Sequence, residues 1–222
     1  MPPKPSIRTR ATEVSRVEAF SDVVFGFALT LIVISLEVPR TFAELAEAMR
    51  GFVAFTICFA ILVWIWHAHY TFFRRFGLQD SYTIVLNTVL LFLVLFYIYP
   101  LKFLFSLLTG GLAKGAVTRG DMITLMVIYG VGFAGLFTVF SLLYLHAYKQ
   151  REALELSELE LAFTRKYMLM YVGYVGIGLL STLLALTLPG RLIAFSGLSY
   201  FLIGPVSALV WTIRPINVPA TG

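Results

Sequence analysis

The chain has 222 residues, of which 59% are hydrophobic and only 13% are charged, and 20 of its residues are Phe. A soluble domain carries about 25% charged residues. Together with a mean hydropathy of +0.87, this composition excludes a disordered chain, a collagen-like structure and an ordinary soluble enzyme. It predicts an integral membrane protein that exposes apolar surface to lipid.

The net charge of +5 and the single cysteine, Cys58, narrow the possible partners further. One cysteine forms no intramolecular disulfide and no cysteine-based metal site. The basic residues form no block of five like charges, and an excess of basic residues is usual on the cytoplasmic side of membrane proteins. We therefore expect no nucleic-acid partner and no cofactor.

Six stretches are long and apolar enough to cross a membrane as helices, since a span needs about 20 apolar residues. They cover residues 17–38, 51–73, 82–108, 122–148, 167–188 and 192–213. The predicted fold class is therefore an all-α membrane protein with six transmembrane helices, forming one domain over residues 1–222.

The distribution of Lys and Arg predicts the orientation of these spans. Six spans place both termini on one side, and a cytoplasmic N-terminus puts eleven Lys and Arg inside and six outside. This is the bias seen in membrane proteins. The polar, proline-containing start of the chain also lacks the early apolar core of a signal peptide. We expect both termini in the cytoplasm.

The first span has two different faces when its residues are placed about 100° apart around a helix. Phe27, Leu31 and Ile34 fall on one narrow stripe, and Thr30 lies at its edge. Ser21 and Asp22 point away from that stripe. The span therefore presents a row of large apolar groups on one face and polar groups to neighbouring helices on the other.

Polar residues that lie at a similar membrane depth predict a buried network. His67 lies near the end of the second span, and Asn87 lies near the start of the third. Ionisable groups inside a membrane are costly and usually face the protein interior or water. We expect hydrogen bonds among Ser21, Asp22, His67 and Asn87. Two interpretations stay open: the network holds three helices together, or it relays protons.

Enzymatic activity is not expected, because neither a zinc-binding histidine pair with a catalytic Glu nor a G-x-S-x-G string occurs. His67 and His69 would point about 200° apart on a helix and could not share a metal ion. One possible function is that of a proton-coupled secondary transporter that uses Asp22 and His67. Transporters usually show internal repeats and broken helices in both halves, and neither feature is evident here.

The string Arg16-x-x-x-Phe20-Ser21-Asp22 resembles the signature of the transmembrane-protein-175 family of potassium channels. The similarity is to prokaryotic members, which have one six-helix unit per chain. It continues through the Thr30-Leu31 stretch to Trp64-x-x-His67 on the second span, and to Asn87 and Pro100 on the third.

This resemblance implies a homotetramer in a prokaryotic inner membrane, with four first helices lining a central, potassium-permeable pore. No carbonyl filter is implied, because the pore narrows at apolar side chains that match Phe27, Leu31 and Ile34, with Thr30 as their polar neighbour. Relatives commonly carry an aliphatic residue at the position of Phe27, so a narrower constriction is expected here. The residues implied to brace the pore helix are Arg16, Phe20, Ser21, Asp22, Trp64, His67 and Asn87.

Overall fold

The structure of the protein is a computed structural model that describes residues 8–11, 13–34, 40–108, 118–189 and 192–213. Every regular element in these ranges is helical, which confirms the predicted all-α class. In chain order they are α1 (Arg16–Ile34), α2 (Phe42–Phe76), α3 (Ser81–Leu108), α4 (Arg119–Lys149), α5 (Glu158–Thr187), a 3-10 helix (Ile193–Leu202) and α6 (Ile203–Ile213).

Five helical segments of the described chain are long and apolar enough to cross a membrane. They are Phe52–Phe76, Ser81–Leu107, Arg119–Lys149, Glu158–Thr187 and Phe195–Thr212. The 19-residue α1 is not among them, and its first two turns carry Arg16, Glu18 and Asp22. The predicted first span also includes residues 35–38, which lie outside the described residues.

Side-chain caps explain where several helices begin. Thr118 and Asp121 at the start of α4, and Ser157 and Glu160 at the start of α5, each form a reciprocal capping box. Each box satisfies backbone N–H groups that have no partner within the helix. α2 ends at Gly77, whose φ of +61° is the left-handed conformation that glycine adopts without strain.

Consecutive helices run in opposite directions, and contacts at one end of the bundle establish this. We call the end at which α1 begins the proximal end. There the Ala11 N–H donates to the carbonyl of Arg74 at the end of α2, and His146 of α4 pairs with Asp80 before α3. The start of α5 meets the end of α6 through Lys166 and the Trp211 carbonyl. Both ends of the described chain therefore lie at the proximal end.

α1 packs on α2 and α3, α4 packs on α5 and the 3-10 helix, and an extensive contact between α3 and α4 joins these two sets of helices. The α4–α5 contact is very close where Gly130 faces Gly178. A Cβ built on Gly178 would lie 2.7 Å from the Gly130 carbonyl oxygen and 2.9 Å from the Ala134 nitrogen. Small residues allow this backbone approach in membranes.

The last predicted span, 192–213, is not one regular α-helix. Ten residues, Ile193–Leu202, form a 3-10 helix, which is long for this conformation. Serine hydroxyls support its i to i+3 geometry, since Ser196 donates to the Ile193 carbonyl and Ser199 donates to the Ser196 carbonyl. Ser181 of α5 also donates to the Ser196 carbonyl and fixes the segment against α5.

Candidate pore helix and its supporting contacts

One face of α1 is exposed in the part of the protomer that the structure describes. Phe20, Val23 and Phe27 are 62%, 56% and 64% exposed, and Thr30 is exposed on the same side. These residues recur at three- and four-residue intervals, so they form one continuous face of the helix. Leu31 is half-buried at the edge of this face. Ile34 ends α1, and its side chain lies outside the described residues.

The opposite face of α1 is buried against α2 and α3. Ser21, Phe25, Ala28 and Ile32 lie on it, again at three- and four-residue intervals, and each is almost completely buried. This spacing places their side chains in one stripe. The two faces of α1 therefore differ sharply, with one in the protomer core and the other outside it.

A chain of hydrogen bonds links the buried face of α1 to α3 and α2. The Asn87 amide on α3 donates to the Ser21 hydroxyl over 3.0 Å, and the Ser21 hydroxyl donates to the Val17 carbonyl. The Asn87 carbonyl oxygen lies 2.9 Å from Nε2 of His69 on α2. Because the Asn87 amide is already a donor, we assign the proton of this contact to Nε2. All three side chains are buried, with exposures of 0%, 3% and 1% for Ser21, Asn87 and His69.

The histidine of this network is His69 and not the predicted His67. Residues 58, 62, 65, 69, 72 and 76 of α2 are all buried, with spacings of four and three that define its core-facing stripe. His69 lies on this stripe, packed between the rings of Phe25 and Phe73. His67 is two positions away, so it points about 160° from His69. The prediction was wrong because it selected the histidine by its depth in the membrane and did not ask which face of α2 points into the core.

Asp22 has a different partner from the one expected. It is exposed at the side of α1, and its Oδ1 accepts a hydrogen bond of 2.7 Å from the indole N–H of Trp66 on α2. Trp66 therefore braces α1 alongside the Ser21–Asn87–His69 chain. Trp66 precedes His69 by three residues, so the same helical spacing that selects His69 could also have selected Trp66 from the sequence.

The other predicted bracing residues lie elsewhere. Trp64 contacts the rings of Phe137 on α4 and Tyr174 on α5. His67 shares with Trp64 and Tyr174 the lining of a cavity of about 160 Å³ between α2 and α5. Arg16 is exposed at the start of α1, and Phe20 belongs to its exposed face. The structure therefore brings Ser21 and Asn87 together but not Trp64, His67 or Arg16.

A capping box fixes the first turn of α1. The Ser15 hydroxyl accepts from the Glu18 backbone N–H, and the Glu18 carboxylate accepts from the Ser15 N–H over 3.0 Å. Glu18 is buried, so the reciprocal bonds satisfy polar groups that water reaches poorly. Together with the bonds of Ser21 and Asp22, this arrangement holds the proximal half of α1 in a defined orientation.

Two solved structures of potassium channels share this fold. The structure of a variant of the potassium channel MtTMEM175, bound to a nanobody–MBP fusion protein, matches with a TM-score of 0.83 and 36% sequence identity. The match covers 95% of this chain and 97% of that one. A lysosomal potassium-selective channel TMEM175 homolog from Chamaesiphon minutus shares the fold, with a TM-score of 0.60 and 24% identity, over 88% of this chain and 96% of that one.

Sequence comparison identifies the family. Residues 16–97 match the family described as endosomal/lysosomal potassium channel TMEM175. A potassium channel of Marivirga tractuosa is 39% identical over 217 residues, which cover 91% of this chain and 88% of the relative. A Chamaesiphon minutus potassium channel is 29% identical over 61% of this chain and 66% of the relative. The chain belongs to the TMEM175 family, which confirms the predicted family.

Proposed function

We propose that the chain is a potassium-permeable channel in which four copies surround a central pore lined by α1. The observation that carries this proposal is the face of α1 on which Phe20, Val23, Phe27 and Thr30 are exposed among the described residues. The potassium channels among its relatives support the choice of ion. A family of channels is not a family of enzymes, and the function needs no cofactor.

A ring of copies explains why one helix face remains exposed. Closed cyclic assembly repeats the same face around one axis. Four copies of α1 would then place Phe27 and Leu31 in successive apolar rings, with Ile34 one turn further along. Apolar rings of this kind control conduction by dewetting. The constriction therefore consists of Phe27, Leu31 and Ile34, with Thr30 beside them.

Thr30 provides the polar group of this constriction. Its hydroxyl donates a hydrogen bond of 2.8 Å to the Gly26 carbonyl one turn earlier in α1. The proton of Thr30 is thereby engaged, and its oxygen lone pairs remain free to face a cation. Four such oxygens replace only part of a hydration shell, so we expect potassium to be preferred over sodium by a modest margin.

The proximal end of the bundle faces the cytoplasm in this proposal, and the membrane is a prokaryotic inner membrane. Basic residues from several helix ends gather at the proximal end, including Arg74 and Arg75 of α2 and Lys149 of α4. An excess of Lys and Arg on one side is characteristic of the cytoplasmic face. Both termini would then be cytoplasmic.

The transporter alternative loses its physical basis in this arrangement. It requires Asp22 and His67 to exchange a proton, but Asp22 contacts Trp66 whereas His67 faces the cavity against α5. The buried histidine His69 is held between two aromatic rings and hydrogen-bonded to Asn87. These contacts brace α1 and favour the structural interpretation of the network.

Reconstituted protein tests the channel proposal directly. Liposomes that contain the purified protein should release potassium down its gradient and carry an electrical current in planar bilayers. Replacement of potassium by sodium should lower the current modestly. Flux that saturates, requires a proton gradient and carries no current would contradict the proposal.

Leu31→Ser tests the constriction. A small polar side chain widens and wets an apolar ring, so we expect a larger current or a weaker preference for potassium. Val172→Ser is the matched control, because Val172 is exposed on α5, away from the pore face. If both variants and the unmodified protein carry equal currents, Leu31 does not lie in the constriction.

A further inference from the structure

The segment before α1 is clamped to α5 by one arginine. The Arg10 guanidinium forms a fork on the Glu160 carboxylate, with Nη1 to Oε1 at 2.9 Å and Nη2 to Oε2 at 3.0 Å. Its Nε donates to the Leu154 carbonyl in the α4–α5 turn over 3.0 Å. Planar bidentate contacts of this kind are both strong and geometrically specific.

Glu160 is completely buried, and the clamp completes its hydrogen bonding. Besides Arg10, its carboxylate accepts from the backbone N–H of Arg8 at 3.0 Å and of Ser157 at 2.9 Å. A buried carboxylate needs such a set of donors to remain charged. Glu160 therefore binds two residues of the segment before α1 while it caps α5.

The clamp joins the segment before α1 to helices on which α1 itself does not pack closely in the described chain. α1 packs on α2 and α3, whereas Glu160 and Leu154 belong to the α4–α5 unit, which meets the other helices mainly where α4 packs on α3. A second bond, from the Ala11 N–H to the Arg74 carbonyl, ties the same segment to the end of α2. Arg10 lies only six residues before α1 begins, so the clamp limits how far the proximal end of α1 can tilt or rotate.

We propose that Arg10 and Glu160 are positioning residues of the channel, which couple the proximal end of α1 to the α4–α5 unit and thereby set the open probability of the pore. This inference rests on the proposed function, in which α1 lines the pore. A change in α1 tilt moves the apolar rings of Phe27 and Leu31 relative to the axis. The clamp touches neither ring, so it affects how often the pore conducts but not which ion it prefers.

Single-channel recording in planar bilayers tests the clamp. Arg10→Ala removes the fork, Arg10→Lys keeps the charge but loses the bidentate geometry, and Glu160→Gln keeps the shape and the cap on Ser157. Each should change the open probability by about fivefold or more, the scale of an allosteric coupling. The ratio of potassium to sodium conductance should stay unchanged. The double variant Arg10→Ala/Glu160→Gln should change the open probability no further than the stronger single variant.

Arg8→Ala is the matched control, because Arg8 contributes its backbone N–H to Glu160 and its replacement removes a nearby cation only. Proteins are compared after size-exclusion chromatography, so that only assembled channels enter the bilayer. The proposal is overturned if the Arg10→Lys and Glu160→Gln variants have the same open probability as Arg8→Ala. Absence of potassium current from the unmodified protein would instead overturn the proposed function, and with it any role of the clamp in conduction.

Discussion

His69 forms a buried hydrogen bond in the network that holds α1, because it lies on the core-facing stripe of α2. His67 is a more exposed neighbour on the same helix, and both have the same chemistry. The environment therefore decides their roles. When one partner of a buried hydrogen bond is removed, the other polar group stays buried without a partner, and the fold loses the full desolvation free energy of that group.

We predict that His69→Phe destabilises the protein and that His67→Phe does not. Phenylalanine keeps the ring contacts with Phe25 and Phe73 but leaves the buried Asn87 carbonyl oxygen without its donor. The expected loss is about 1–3 kcal/mol. Thermal unfolding in detergent, followed by tryptophan fluorescence, measures it. Equal melting temperatures for the two variants would contradict the assigned network.

Asp80 is a titratable group at the proximal end, in the turn between α2 and α3. Burial raises the pKa of its carboxyl, but hydrogen bonds from Thr83 and His146 outweigh this effect and lower the pKa from 3.8 to about 2. A carboxyl whose pKa is lower in the folded state stabilises the fold above its ordinary pKa. This contribution is lost as the pH falls from about 4 towards about 2.

Asp80→Asn should therefore melt at a lower temperature than the unmodified protein at pH 7, and the difference should shrink as the pH falls below 4. Asparagine still caps α3 but does not titrate. Glu152→Gln provides the control, because Glu152 is highly exposed at the same end. Melting curves between pH 7 and pH 2.5 make the comparison. If the difference in melting temperature is as large at pH 2.5 as at pH 7, the charge of Asp80 is not its cause.

At the scale of helices, α4 and α5 approach so closely that a single methyl group decides whether they fit. The added Cβ at Gly178 would lie 2.7 Å from a carbonyl oxygen of α4, whereas a Cβ at Gly176 meets no atom within 4 Å. Both residues lie in the same helix, two positions apart. Substitutions at these two positions therefore distinguish the effect of helix contact from the general effect of glycine on helix stability.

Gly178→Ala should lower stability by about 1–3 kcal/mol, the usual cost of overpacking, because the two helices must move apart. Gly176→Ala should be neutral or mildly stabilising, since alanine is the better helix former. Unfolding midpoints in detergent compare the two variants. A loss of stability in Gly176→Ala as large as in Gly178→Ala would show that helix contact is not the reason.

At the scale of the whole molecule, the proposed assembly gives the exposed face of α1 a partner in each neighbouring copy. Large apolar groups and Thr30 share this face, so a ring of copies would place apolar side chains and a hydroxyl around the axis. A heterologous contact that closes on itself forms a ring. In this proposal a single protomer does not enclose the pore, and the assembly supplies it.

We predict that the detergent-solubilised protein is a tetramer. Four chains of 24.8 kDa give an assembly of about 99 kDa. Native mass spectrometry, with detergent and lipid removed in the instrument, measures this mass directly. A monomer or dimer that still conducts potassium would contradict a pore shared by four copies.

The sequence predicts the membrane spans and the faces of α1 because hydropathy and helical period are properties of short stretches of chain. Twenty apolar residues in a row reveal a span wherever they occur. The 3.6-residue period separates Phe27 from Ser21 on α1 without any tertiary information. The same period, applied to α2, would also have chosen His69 over His67. The sequence therefore contains enough information to place His69 in the network.

From hydropathy and helical period, the sequence predicts the membrane class, the helices, and different faces of α1 for Phe27 and Ser21, because both signals depend on neighbouring residues alone. The tertiary structure determines which distant groups meet. The pairs Ser21–Asn87, Asp22–Trp66 and Arg10–Glu160 join residues 66, 44 and 150 positions apart. Their choice depends on how helices pack and rotate against one another, since a buried polar group accepts whichever partner the packing brings within hydrogen-bond distance.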